Sequence, residues 1–272
     1  MSDRVHIHFH TLNDQDTNVN AAKVKAVNTV TTTRVNLGSN VGKINQKNNA
    51  IAIGFSAGAS AQSSNTVAIG VSAGNSGQKT NSVAIGNGAG RSNQDSSSVA
   101  IGYKAGNMAQ SGLSVSIGNY AGRSNQNSSS VAIGDQAAEF DQDASSVAIG
   151  LFAGQSNQGT ASVALGASAG RSVQGTYSVA LGINAGAFNQ GISSIAIGPW
   201  AGHSNQGSSA IAIGPSAGGS NQPPNTLFMN PIRISTFTSS PPYTGSNDIP
   251  LYSLYWDSVS GEVIAGNYVA PQ

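Results

Sequence analysis

The sequence predicts an all-β fold, a parallel β-solenoid of about twelve coils, and three observations carry that reading. The first is a period that never slips. The stretch Ser82-Val83-Ala84-Ile85-Gly86 returns every sixteen residues, and its closing glycine falls at Gly54, Gly70, Gly86, Gly102, Gly118, Gly134, Gly150, Gly166, Gly182, Gly198 and Gly214. A short fixed period marks stacked supersecondary units. The second is alternation within each copy: Val83 and Ile85 alternate with Ser82 and Ala84, as in a short strand with two unlike faces. The third is negative. No helical apolar period occurs, and Gly, Ser and Asn recur where helices tolerate them least.

Each part of the repeat has a physical task. Four residues after the first glycine stands a second small residue, as at Gly58, Gly90 and Gly122, with Ala138 the one alanine in that column. These glycines allow two bends per coil. Eight residues after the first glycine comes a glutamine: Gln62, Gln78, Gln94, Gln110, Gln126, Gln142, Gln158, Gln174, Gln190, Gln206 and Gln222. Side-chain amides stacked in register bond coil to coil, so the glutamines are expected to form a structural ladder. The polar run Arg91–Ser97 is expected to return the chain to the next strand. A degenerate first copy, Val35-Asn36-Leu37-Gly38 with Gly42 and Gln46, precedes the array. Strands about 4.8 Å apart would make the stack a rod on the order of 55 Å long.

Composition narrows the function classes. Charged residues are 8% of the chain and the net charge is +1, so there is no electrostatic footprint for nucleic acid or an anionic membrane. There is no cysteine, hence no disulfide and no thiolate metal site. No stretch is apolar enough to span a bilayer as a helix. The N-terminal Met1-Ser2-Asp3-Arg4 start lacks the apolar core of a signal peptide, which sets the expectation of a protein not exported by that route.

Three segments follow from the pattern: 1–34 approach the array, 35–222 form the solenoid and 223–272 cap it. Near the start, Val5, Ile7 and Phe9 alternate with His6, His8 and His10, a strand pattern with three imidazoles on one face. Those histidines are candidate metal ligands, one per chain if three chains met on an axis; the alternative is a solvated polar face. Pro223-Pro224 marks the end of the array, because proline would spoil another coil. Leu251–Trp256 and Glu262–Ala265 read as a hairpin closing through Asp257–Gly261, and the terminal segments would cover the open strand edges of the solenoid.

The variable columns carry the candidate sites. Phe55, Tyr103, Tyr120, Phe152 and Trp200 fall one or two places after the first glycine, while Phe140 and Phe188 fall six places after it. These turn positions are either a glycan- or protein-binding surface or a packing surface between subunits. Five places after the glycine stand Lys43, Arg91, Arg123, Glu139, Arg171 and His203, where Arg123 and Glu139 form an expected surface ion pair. Asp135, Glu139, Asp141 and Asp143 crowd one coil, a weak fit to a calcium site and a good fit to a solvated edge. No nucleophile–base–orienter set is recoverable, and no cleft with paired carboxylates is implied, so the chain is read as non-enzymatic.

The motif Ser-Val-Ala-Ile-Gly-x-x-Ala-Gly resembles the head repeat of YadA-type trimeric autotransporter adhesins, over Val35 to Gln222. The resemblance implies a left-handed parallel β-roll, three chains side by side and a role in surface attachment. The sixteen-residue period is longer than is usual for those heads, and no coiled-coil stalk or membrane barrel is present in this sequence. The run Tyr255–Val263 is similar to hairpins ending fibre proteins of large DNA viruses and phages, and His-x-His strands resemble viral and phage spike tips.

Trimerisation also has a physical rationale. If small side chains fill the narrow interior, Val83, Ile85, Val99, Ile101, Val131, Ile133, Val147, Ile149, Val163 and Leu165 lie outside as an apolar stripe that three copies would bury. If these columns lie inside, they are the core of a self-sufficient monomer. The leading expectation is a homotrimeric fibre or spike on a virion or extracellular surface, bound to itself and to a host glycan or protein, without nucleic acid or membrane insertion. The alternatives are a filament subunit assembled end to end and, with less support, an ice-binding solenoid.

Overall fold

The computed structural model describes residues 34–230 and the backbone of two later strands, Tyr252–Asp257 and Glu262–Asn267. The chain divides into two compact units, Met1–Pro231 and Ile232–Gln272. Among the described residues there is no helix. In the second unit the two strands pair antiparallel, Tyr252 opposite Asn267 and Asp257 opposite Glu262.

The first unit is a parallel β-solenoid. Its first sheet has 13 strands, from Arg34–Leu37 and Ala50–Ile53 through Val83–Ile85 and Val147–Ile149 to Leu227–Met229. Every strand pairs in parallel with the one sixteen residues on, Val83 with Val99 and Ile85 with Ile101. At about 4.8 Å per step the sheet runs about 58 Å. It continues one rung beyond Gln222, through Leu227–Met229, despite Pro223-Pro224. The backbone N–H at that corner normally donates to the glutamine carbonyl of the following coil, as Asp95 does to Gln110 at 2.8 Å. No further sixteen-residue copy follows Pro223, so proline loses nothing there.

The polar run that the sequence suggests is a plain return forms a second sheet. Ser92–Gln94, Met108–Gln110, Ser124–Gln126, Phe140–Gln142, Ser156–Gln158, Ser172–Gln174, Phe188–Gln190 and Ser204–Gln206 stack in parallel, with Gln opposite Gln at each step. Single bridges such as Ser60 to Ser76 and Ser204 to Ser220 carry the same pairing toward both ends. The coil is therefore two narrow β walls joined by tight corners.

Those corners need left-handed backbone at five of the sixteen residues. In one coil these are Gly118, Tyr120, Gly122, Asn125 and Ser129, with φ from 52° to 135°. The first glycine column also demands glycine for space, while the second is tight and admits one alanine, Ala138. A Cβ on Gly86 would stand 2.5 Å from the carbonyl oxygen of Gly102, and one on Gly106 would stand 2.5 Å from Oε1 of Gln110. The strict column is thus set by the coil above and the tight one by the glutamine inside.

The interior resolves which strand face is which. Ala84, Ala100, Ala132 and Ala148 are fully buried, as is a second column at Ala89, Ala105 and Ala153. The valines and isoleucines of the same strands point outward: Val83, Ile85, Val99, Ile101, Val131, Ile133, Val147, Ile149 and Val163 are half-buried, and Leu165 is 40% exposed. They are not the core of the single chain. The small cavity leaves room for methyls and one amide layer only. At the two ends the interior column changes. Asn36 replaces alanine in the first rung and makes two amide hydrogen bonds with Gln46, at 2.8 and 2.7 Å. Phe228 replaces it in the last.

Candidate functional site

The interior glutamines come first, because they hold the corners in place. Each reaches from the second sheet across the coil, where its amide N–H donates to a carbonyl of the first. Gln94 bonds Val83 at 2.8 Å, Gln126 bonds Val115 at 2.9 Å and Gln158 bonds Val147 at 2.8 Å. The second N–H donates to the next glutamine's Oε1, at 3.0 to 3.2 Å from Gln94 through Gln110, Gln126 and Gln142 to Gln158. Gln46 to Gln62 to Gln78, and Gln206 to Gln222, form two shorter runs. Between runs the side-chain oxygens of Gln94, Gln174, Gln190 and Gln206 are buried without a partner. The column is continuous in sequence but segmented in its bonding.

Outside, one corner gathers aromatic rings and cations. The left-handed residue two places after the first glycine and the residue five places after it lie on the same edge of the coil, so they meet within a coil and between neighbours. Tyr103 and Tyr120 make an edge-to-face pair with centroids 5.2 Å apart. Lys104 Nζ lies 5.1 and 5.4 Å from their two rings. The hydroxyl of Tyr120 and the ammonium of Lys104 hold the Tyr103 phenol below its ordinary pKa, and Tyr103 in turn raises that of Lys104. The guanidinium of Arg123 packs 5.1 Å from Tyr120 and 5.6 Å from Phe140, and that of Arg171 lies 5.3 Å from Phe152. Farther along, Trp200 lies 4.6 Å from the ring of His203, which meets Phe188 at 5.4 Å.

A polar chain runs under these rings. Arg123 donates to Glu139 at 3.1 Å, Gln155 donates to Glu139 at 3.2 Å, and Arg171 donates to Gln155 at 3.2 Å. Glu139 is buried, so its pairing with Arg123 is not the surface contact that the spacing suggests. The other carboxylates of that coil scatter to separate positions. Asp135, Asp141 and Asp143 each accept a side-chain amide of the preceding coil, from Asn119, Asn125 and Asn127. Among the described residues no cluster of His or carboxylates has the geometry to hold a metal ion.

Comparison with protein-family models, with curated proteins and with solved structures finds no match. The surface therefore has to be read from its own chemistry. Of the aromatic positions singled out by sequence, Tyr103, Tyr120, Phe152 and Trp200 join the corner network, while Phe55 stands apart and is 54% exposed. Adjacent coils bring Lys104 to Tyr120 and His203 to Phe188, whereas Tyr103 and Trp200 are their neighbours within the same corner. The repeat offset was the available signal: residues separated by about sixteen, or by three within a corner, are spatial neighbours. His6, His8 and His10 lie outside the described residues.

Proposed function

We propose that this chain is a non-enzymatic structural and attachment protein, a homotrimeric surface fibre or spike of virion or extracellular type. One observation carries the reading: the outer face of the first sheet. Valine and isoleucine or leucine columns run its length, and Ile117, Leu165, Leu181 and Ile213 are 36–40% exposed in the single chain. Two columns about 7 Å apart over about 50 Å make a continuous apolar stripe of several hundred Å², more than a soluble monomer usually leaves in water. Exposed Phe55, Val71, Leu151 and Ile183 stand beside it. A second copy with the same rung spacing offers the same columns in register, and rotation about a shared axis closes the assembly. The resemblance of the repeat to adhesin heads supports three copies and attachment. The filament reading has less support, because Phe228 in the alanine column does not suit the next coil of a stacked copy.

Mass in solution tests this, measured by light scattering on the wild type and on Val99→Asp and Ile101→Asp. The expected result is a wild-type trimer that the substitutions convert to folded monomers. A wild-type monomer, stable at micromolar concentration, overturns the reading.

A further inference from the structure

The aromatic corner is also where the charge of the solenoid collects. Between Gly86 and Gln222 the chain has four lysines and arginines, Arg91, Lys104, Arg123 and Arg171, and all four fall on this corner. The same stretch has seven aromatic residues, and six of them lie there, Tyr177 being the exception. Its five carboxylates are distributed differently. Asp95, Asp141 and Asp143 are elsewhere on the coil, Asp135 accepts from Asn119, and Glu139 is taken up by Arg123 and Gln155. The corner is thus a positive ridge with rings at successive heights, on a protein whose net charge is only +1.

We infer that this ridge binds an acidic polysaccharide laid along the solenoid axis, a reading that deepens the attachment function above and rests on it. Exposed aromatic residues such as Tyr103 and Trp200, at 43% and 47% exposure, suit the C–H faces of pyranose rings. Lys104 and Arg171 have no carboxylate partner among the described residues and suit a carboxylate or sulfate. The charge spacing selects the polymer. Arg91 to Arg171 spans five coil steps, or about 24 Å. A nucleic acid strand of that length presents about seven phosphates. Four cations, one of them already neutralised by Glu139, match a chain with an acidic group on every sugar or two.

The test uses the full-length protein against immobilised hyaluronan (carboxylate alone), heparin (sulfate and carboxylate), neutral dextran and single-stranded poly(dT). Binding is read by interferometry at about 50 and about 300 mM salt. Expected is binding to one or both acidic chains and none to dextran, weakened by salt. The comparison of hyaluronan with heparin tells carboxylate from sulfate recognition. Lys104→Gln with Arg171→Gln, and separately Trp200→Ala, each lower the affinity by about tenfold while the melting temperature is retained. The inference is overturned by absent binding to both acidic chains, by equal binding to dextran, by tighter binding to poly(dT), or by variants that bind like the wild type. Light scattering on the same samples separates the two readings. A trimer that ignores the acidic chains sinks the ligand alone, whereas a monomer that binds them sinks the assembly alone.

Discussion

The two walls of the coil solve the problem of a very narrow interior in opposite ways. The first sheet presents alanine inward and valine or isoleucine outward, so its large apolar side chains are the ones left half in water. The second presents glutamine inward and mostly serine and asparagine outward. The methyl wall packs by close approach alone. The amide wall spans the gap, because a glutamine is long enough to reach the carbonyls of the opposite sheet and polar enough to bond its own copy in the next coil. A coil of sixteen residues with a core of methyls and amides gains little from hydrophobic burial within one chain, which leaves the outer apolar wall as the largest unused surface.

The largest effect is expected where the methyl wall is overfilled. Ala132 is fully buried between the neighbouring rungs, where Ser116 and Ala148 stand opposite it, and leucine there has no room on either side. Ala132→Leu should cost about 3 kcal/mol or more in denaturant unfolding, whereas Ile133→Thr, one residue on and facing out, should cost about 1 kcal/mol in a monomer. Equal costs for the pair would mean that the two faces are not as unlike as their burial indicates.

The amide wall offers a sharper contrast within one column. Gln126 donates to Val115 and Gln142 and accepts from Gln110. Gln190 donates to Val179 and its oxygen is unpartnered. Replacement by methionine should cost about 3 kcal/mol at Gln126, where buried partners are orphaned, and about 1 kcal/mol at Gln190. Matching losses at the two positions would show the segmentation of the ladder to be energetically void.

A smaller effect belongs to the corner. Arg123→Met removes the cation that Glu139 faces, leaving the buried carboxylate only Gln155. A loss of about 1–2 kcal/mol is expected, and Glu139→Gln in the same chain should restore part of it. If the double variant is no more stable than the single one, the pair is not coupled.

The period, the strands of the first wall and the glutamine column were legible in sequence because each repeats a strong local signal, Val-x-Ile or an unvarying Gln. The second wall was not: Ser-Asn-Gln has no apolar alternation, and it becomes a strand only because its glutamine is anchored across the coil. Face assignment was equally undetermined, since Val-Ala-Ile alternates correctly whichever side is inside. The corner network was half legible. Tyr120 and Trp200 stood out as aromatics, but their neighbours Arg123 and His203 are brought beside them by left-handed φ values of 55° and 62° at those two rings. Tyrosine and tryptophan give no sequence signal for that conformation.

The smallest effect concerns His203, where the polar end of the corner meets the apolar one. Its ring lies against Trp200 and Phe188, and its Nδ1 is 2.9 Å from the Ser204 hydroxyl. Burial pushes its pKa below the ordinary histidine value. The unfolded chain then binds the proton more readily than the folded one, so this contribution to stability is complete above about pH 6.5 and is lost as pH falls through the folded value. Between pH 7.5 and 5 the wild type should lose on the order of 1 °C in melting temperature relative to His203→Gln. Asp95, whose carboxyl is lowered by the Ser96 N–H and by Lys79, titrates at lower pH and is common to both proteins. If acidification instead stabilises the wild type relative to the variant, the attraction of an imidazolium for the Trp200 ring outweighs its desolvation, and the corner favours cations even where it is driest.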